Sequence, residues 1–190
     1  KGLPYSPRTV SADDCRHLQE HMYRADQLPP VSDIELVFMV SDTQDDFSPT
    51  GVFALDVHDN LWLLQYANIT HLWLTEADKE ALERSTGEEV KTVEDILNSE
   101  IRIHGEGIRP LFHVIDWRGH RQKEILEYAA VHKNCILYAG AGQRQLEPYK
   151  TSQKRRRLFY VSAATYQKQF IWSLYRHQNK EGDYLYLPED

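Results

Sequence analysis

The sequence predicts an α+β fold, a single domain with a mixed or mainly antiparallel sheet and several packed helices. Three observations carry this. Short β-rich runs such as Ile34 to Val40 and Leu158 to Ser162 alternate with stretches of helical period such as Gly119 to His132. Two apolar runs, Gly51 to Val57 and Leu61 to Tyr66, flank the compact turn His58-Asp59-Asn60, the pattern of a hairpin. Finally, 190 residues with 41% hydrophobic content suffice for one core, whereas two very small domains would each be marginal.

Taken in order, residues 1–10, with Pro4 and Pro7, form an extended lead-in, and residues 11–190 form the domain. Ser11 N-caps a helix whose first turn carries Asp13 and Asp14, acidic charge where a helix N-terminus favours it. Cys15, Leu18, Met22 and Ala25 make one apolar stripe along that helix, and Pro29-Pro30 stop it. Ile34 to Val40 is a buried strand, followed by a polar loop from Ser41 to Thr50 that contains Asp42, Asp45, Asp46 and Pro49. After the hairpin, His71 to Leu74 extends the sheet, Thr75 caps an acidic helix ending near Gly87, and Thr92 caps another. Ile103 to Pro110 is a glycine-containing loop, Leu111 to Trp117 a strand, and Gly119 to His132 a helix with Ile125, Leu126 and Ala129 inward. Strands at Cys135 to Ala139, Leu158 to Ser162 and Tyr184 to Leu187 and a helix over Thr165 to His177 complete the pattern.

Charge and cysteine usage narrow the function. The 22 basic against 29 acidic residues give a net charge of −7, which excludes the whole-surface positive field of a general nucleic-acid binder and confines any such contact to a local patch. Cys15 and Cys135 have neither disulfide-framework nor zinc-finger spacing, so a reducing compartment is expected. No run approaches the roughly 20 apolar residues of a membrane span. The expected location is cytoplasmic, or a cell cytosol into which the chain is delivered as part of a larger protein.

Two residue constellations suggest chemistry. His17-Leu18-Gln19-Glu20-His21 has two histidines four apart on a helix, able to share one zinc ion, with Glu20 as base on a bound water. It resembles the inverted zinc-peptidase motif and implies a zinc hydrolase; the alternative is two exposed histidines on a polar helix face. Cys15, in the first turn of a helix, with His113 and Asp116 on a later strand, has the order of a papain-like thiol set. Equally, Cys15 begins the apolar stripe and serves as a small core residue.

A longer resemblance starts at Tyr23. Tyr23-Arg24-Ala25-Asp26-Gln27-Leu28-Pro29-Pro30 resembles the motif that opens the cholera and pertussis-like mono-ADP-ribosyltransferase toxins, and Tyr160-Val161-Ser162-Ala163-Ala164 resembles their later Ser-bearing strand. The resemblance implies an NAD-dependent effector domain in which Arg24 and Ser162 bind NAD and Glu181 is the catalytic glutamate. The competing class is a non-catalytic module that binds protein or phosphate. A protein partner or protein substrate is expected in either case, with local phosphate or nucleic-acid contact through Lys154, Arg155, Arg156 and Arg157, and a second contact site at the acidic loop Asp42 to Asp46.

Overall fold

The computed structural model describes residues 21–44, 47–70, 76–90, 92–118, 121–141, 149–151, 158–162 and 185–189. The predicted strand at 71–74 and helix at 165–177 lie outside these residues, as does most of the predicted first helix.

Alternation of apolar residues along Ile34–Ser41 (β2), Phe47–Asp56 (β3) and Leu61–Thr70 (β4) builds a three-stranded antiparallel meander. The predicted hairpin is therefore present, and its first strand is longer than expected. β3 begins at Phe47, inside the stretch read as loop, and Pro49 is accommodated within it. At the β3 to β4 turn, Asp59 takes a left-handed φ of 62°, which aspartate tolerates better than most residues. The Asp56 carboxylate organises this turn, accepting from the amides of His58 at 2.8 Å and Asn60 at 2.9 Å, from Asn60 Nδ2 at 3.0 Å and from Trp62 Nε1 at 2.9 Å. Burial alone would raise the Asp56 pKa, but these donors outweigh it and hold the carboxyl below its ordinary value.

Thr92 caps the short helix Val93–Asn98 (α2) through a reciprocal capping box with Asp95, as its sequence spacing requires. The preceding acidic helix is Glu76–Thr86 (α1). The glycine-containing loop expected after α2 instead holds a second, small hairpin, Ile101–Ile103 (β5) with Glu106–Ile108 (β6). His104 and Gly105 form its two-residue turn with φ of 50° and 88°, the double positive φ that matches strand twist in the tightest hairpins.

Among the described residues, the principal sheet has nine strands, in the order Met22–Tyr23 (β1), Leu185–Pro188 (β11), β4, β3, β2, Phe112–Asp116 (β7), Cys135–Ala141 (β8), Leu158–Ser162 (β10) and Tyr149–Thr151 (β9), and five of its eight neighbouring pairs are parallel. The mostly parallel sheet corrects the expectation of an α+β fold with a mixed or mainly antiparallel sheet. The cause is connectivity. Phe112–Asp116 (β7) leads through helix Gln122–Val131 (α3) to Cys135–Ala141 (β8), and a strand followed by a crossover helix returns parallel. Leu158–Ser162 (β10) is also parallel to β8, with Tyr149–Thr151 (β9) as an antiparallel edge. On the other wing, Leu185–Pro188 (β11) inserts between β4 and Met22–Tyr23 (β1). Tyr23, Trp62 and Tyr186 lock this wing, with Trp62 stacked on Tyr186 at 3.8 Å and Tyr23 edge-on to Trp62 at 5.2 Å.

Register separates two faces. Met39, Val52, Ile115, Leu137 and Leu158 lie on one face and are buried. Tyr128 of α3 meets His113 of that face edge-on at 5.9 Å, so the helix covers it. The opposite face carries the stacked rings Phe38, Phe53 and Phe112 and is half-buried.

Candidate active site

Ladder register brings two aspartates to one place. β2 and β7 are adjacent and parallel, and their last paired residues are Ser41 and Ile115. One step further along each chain stand Asp42 and Asp116, level with each other on the half-buried face, on strands roughly 4.8 Å apart. On the far side of β7, Asp116 pairs with Tyr138 of β8. The row Asp42, Asp116, Tyr138 therefore crosses three neighbouring parallel strands, at the carboxyl ends of β2 and β7 and the middle of β8, where β2 has an antiparallel neighbour on one side and a parallel one on the other. Ligands of open α/β sheets are bound at such positions.

Each aspartate is held by its surroundings. The Asp42 amide donates to Pro49 O at 3.0 Å, which continues the sheet one residue past β2, and Gln44 Nε2 donates to Asp42 Oδ2 at 2.8 Å. Thr43, buried between the strand ends, donates from Oγ1 to the Asp116 carbonyl at 2.9 Å. The amide of Arg118 donates to Asp116 Oδ1 at 2.9 Å. Burial raises the Asp116 pKa above the ordinary carboxylate value, and the Asp42 charge raises it further against the opposing Arg118 amide. Burial also raises the Tyr138 phenol, with Asp116 and Asp42 adding in the same direction, so that its O–H is retained. Two carboxylates that repel each other in a partly dry site are chemically suited to a shared cation.

A family model for the terminase large subunit gpA, endonuclease domain, matches residues 1–188. The chain belongs to this family. No curated protein and no solved structure gives a significant match.

Membership in the terminase gpA endonuclease family corrects the functional expectations. An ADP-ribosyltransferase toxin, a zinc hydrolase and a non-catalytic binding module all give way to the domain of a phage DNA-packaging nuclease, and NAD has no support. The family supports nucleic-acid contact and adds no support for a protein partner or substrate. The fold also separates the residues of the toxin resemblance. Arg24 is on the surface with its side chain 62% exposed and paired with Asp26, beside edge strand β1. Ser162 is buried at the end of β10, with six strands between β1 and β10. It also lies on the face opposite Asp116, because Asp116 is level with Tyr138 and Phe159, three residues before Ser162. Glu181 lies outside the described residues.

The remaining candidates fare differently. Met22–Tyr23 is a strand, so the predicted helix does not continue to Ala25; pairing with β11 outweighs the helical stripe there. His17, Glu20 and Cys15 lie outside the described residues. His21 is buried, with Nδ1 2.7 Å from Leu185 O. Among the described residues no cluster of three or more His, Cys, Asp or Glu is placed to hold a metal. His113 and Asp116, three apart on β7, project to opposite faces and cannot form one thiol set. Lys154 to Arg157 lie outside the described residues. No helix among those described is long and apolar enough to cross a membrane.

Sequence reasoning named Asp42 as part of an acidic loop and Asp116 as a thiol partner, but never paired them. The available signal was two apolar strands, Ile34 to Val40 and Leu111 to Ile115, each followed closely by an aspartate. Pairing them required knowing that the two strands are parallel neighbours.

Proposed function

We propose that the chain is a divalent-cation-dependent DNA endonuclease whose centre is Asp42 and Asp116. The observation that carries this is their level placement at the ends of adjacent parallel strands, where the Asp42 charge raises the cost of ionising the half-buried Asp116. Both donors are oxygens, which suits a hard cation such as Mg²⁺ or Mn²⁺ better than zinc, whose sites favour histidine and cysteine. Such cations commonly take one or two carboxylates and complete their shell with water and substrate phosphate, so two protein ligands fit.

The reaction is hydrolysis of a phosphodiester. A water oxygen bonds to phosphorus, the bond from phosphorus to the leaving sugar oxygen breaks, and a proton is transferred to that oxygen. When bound, the cation supplies Lewis-acid polarisation of the phosphate and offsets its charge. Asp42 and Asp116 hold it, oriented by Gln44 and by the Arg118 amide. Tyr138 keeps its proton and offers a donor level with Asp116. The exposed Arg118 side chain beside Asp116 contacts a backbone phosphate, and the basic run Lys154 to Arg157 supplies further contacts of that kind.

Cleavage of plasmid DNA tests this. Nicking or linearisation requires Mg²⁺ or Mn²⁺, stops on chelation, and falls by about 100-fold or more in Asp42→Asn and in Asp116→Asn, the loss expected for several kcal/mol of removed charge stabilisation. Wild-type rates in either variant would overturn the assignment.

A further inference from the structure

The sheet face that carries Asp42 and Asp116 continues across β3 and β4, and there two aromatic rings stand in solvent. Phe47 is 44% exposed and Tyr66 59%. Register puts both on the aspartate side. Ser41 pairs with Thr50, so Asp42 is level with Pro49, and Pro49 pairs with Asn68. Phe47 and Tyr66 are each two residues from that level, on β3 and β4, and so project to the same face as Asp42. Thr50, Val52 and Ile69, at the alternate positions, are buried on the other face. Strand spacing and rise place the Phe47 Cα about 8 Å and the Tyr66 Cα about 12 Å from that of Asp42. Tyr66 pairs with Gly51, where a Cβ would stand 2.7 Å from Phe53 Cε2. The edge of the Phe53 ring therefore leans over Gly51, and the space beside Tyr66 has an aromatic floor.

Charge decides what these rings meet. Residues 34–70, which contain β2, β3 and β4, include Glu35, Asp42, Asp45, Asp46, Asp56 and Asp59 but no lysine or arginine. Nothing in this meander attracts phosphates, and its acidic residues repel them. A paired duplex laid here would bring its charged backbones against the acidic wing. An unpaired base can instead lie flat on an exposed ring while its phosphate turns away, and such stacking accepts any base. Arg118, by contrast, follows Asp116, on the other strand of the aspartate pair. We propose that Phe47 and Tyr66 stack on unpaired bases beside the scissile phosphate, so that the site takes DNA that is single-stranded or opened next to the cut in preference to fully paired duplex. This rests on the reading of Asp42 and Asp116 as the cleavage centre.

Strand binding in chelator at low salt tests the stacking without calling on a cation. A fluorescein-labelled single-stranded oligonucleotide and an abasic strand of the same length carry the same phosphates, and fluorescence anisotropy compares them. The wild type should bind the base-bearing strand about tenfold or more tighter. Phe47→Ala and Tyr66→Ala should each lose most of that preference while leaving the salt dependence of binding unchanged, and Tyr66→Phe should keep it. In Mn²⁺, the wild type should cleave a duplex with an unpaired bubble at the cut about tenfold faster than a fully paired one, and the double alanine variant should show no such preference. Equal binding of the two strands, equal losses in Tyr66→Phe and Tyr66→Ala, or equal cleavage of opened and paired DNA would overturn the proposal. Failure of the cation centre shows separately, as cleavage that survives Asp116→Asn, and leaves the strand comparison to decide the stacking.

Discussion

Two aspartates in this protein have opposite electrostatic fates, and each sets a pH dependence. Asp56 is ringed by four N–H donors that hold its pKa below the unfolded value. Its stabilisation is therefore present above the unfolded pKa of about 3.9 and is lost as pH falls through the folded pKa. Asp56→Ala leaves those donors without their acceptor and should destabilise the protein by about 2 to 4 kcal/mol, read from denaturant midpoints at neutral pH. The deficit should shrink on acidification. A deficit that stays constant down to pH 3 would show that the carboxylate charge is not what the turn uses. Asp116 is the reverse case, raised by burial and by Asp42, so its ionised form is held at a cost. None of this is visible in the sequence, where Asp42, Asp56 and Asp116 are three aspartates among 29 acidic residues. What distinguishes them is which neighbours the register supplies.

Elements whose signals are local were legible. Thr92 with Asp95 marks a helix start, and both the His58-Asp59-Asn60 turn and the inward Ile125 and Ala129 of α3 were placed from spacing alone. Elements that depend on distant pairing were not. The two residues of β1 are strand only because β11 lies beside them, and the three of β9 only because β10 does. The same limit hid the parallel order of β2, β7 and β8, and with it the site. The β5 to β6 hairpin was missed for another reason, since His104-Gly105 is a weaker turn signal than Asn-Gly. Gly105 has φ of 88° and open space where a Cβ would go. Gly105→Ala should thus cost about 1 kcal/mol through backbone strain alone, and Gly105→Asn less, because asparagine tolerates positive φ. Thermal denaturation of the two variants would check this, and equal losses would argue against the turn conformation.

Across the whole molecule, the sheet joins two wings that have different tasks. The wing of β1, β11 and β4 is closed by chain segments far apart in sequence, with Leu187 N donating to His21 O at 2.8 Å and Tyr23 OH to Leu63 O at 2.8 Å. Removing residues 185–190 exposes the β4 edge and strips Trp62 of its stacking partner Tyr186. That truncation should lower the denaturation midpoint and increase aggregation, measured by light scattering, and an unchanged midpoint would mean that β11 is dispensable. The parallel wing, with α3 packed against it, supplies the carboxyl strand ends on which Asp42 and Asp116 sit.

As the proposed cation site, the Asp42 and Asp116 pair should be electrostatically costly without a cation and relieved by one. Thermal unfolding of the wild type and of Asp116→Asn at neutral pH, with and without Mn²⁺, tests it most directly. Because the folded pKa of Asp116 lies above its unfolded value, its contribution to stability falls as pH rises through that interval. Without cation, Asp116→Asn should therefore be at least as stable as the wild type, retaining the oxygen that accepts from the Arg118 amide. Mn²⁺ should raise the melting temperature of the wild type and leave that of the variant nearly unchanged. A variant that is less stable without cation, and that gains as much from Mn²⁺ as the wild type does, would show that Asp116 is not part of a cation site.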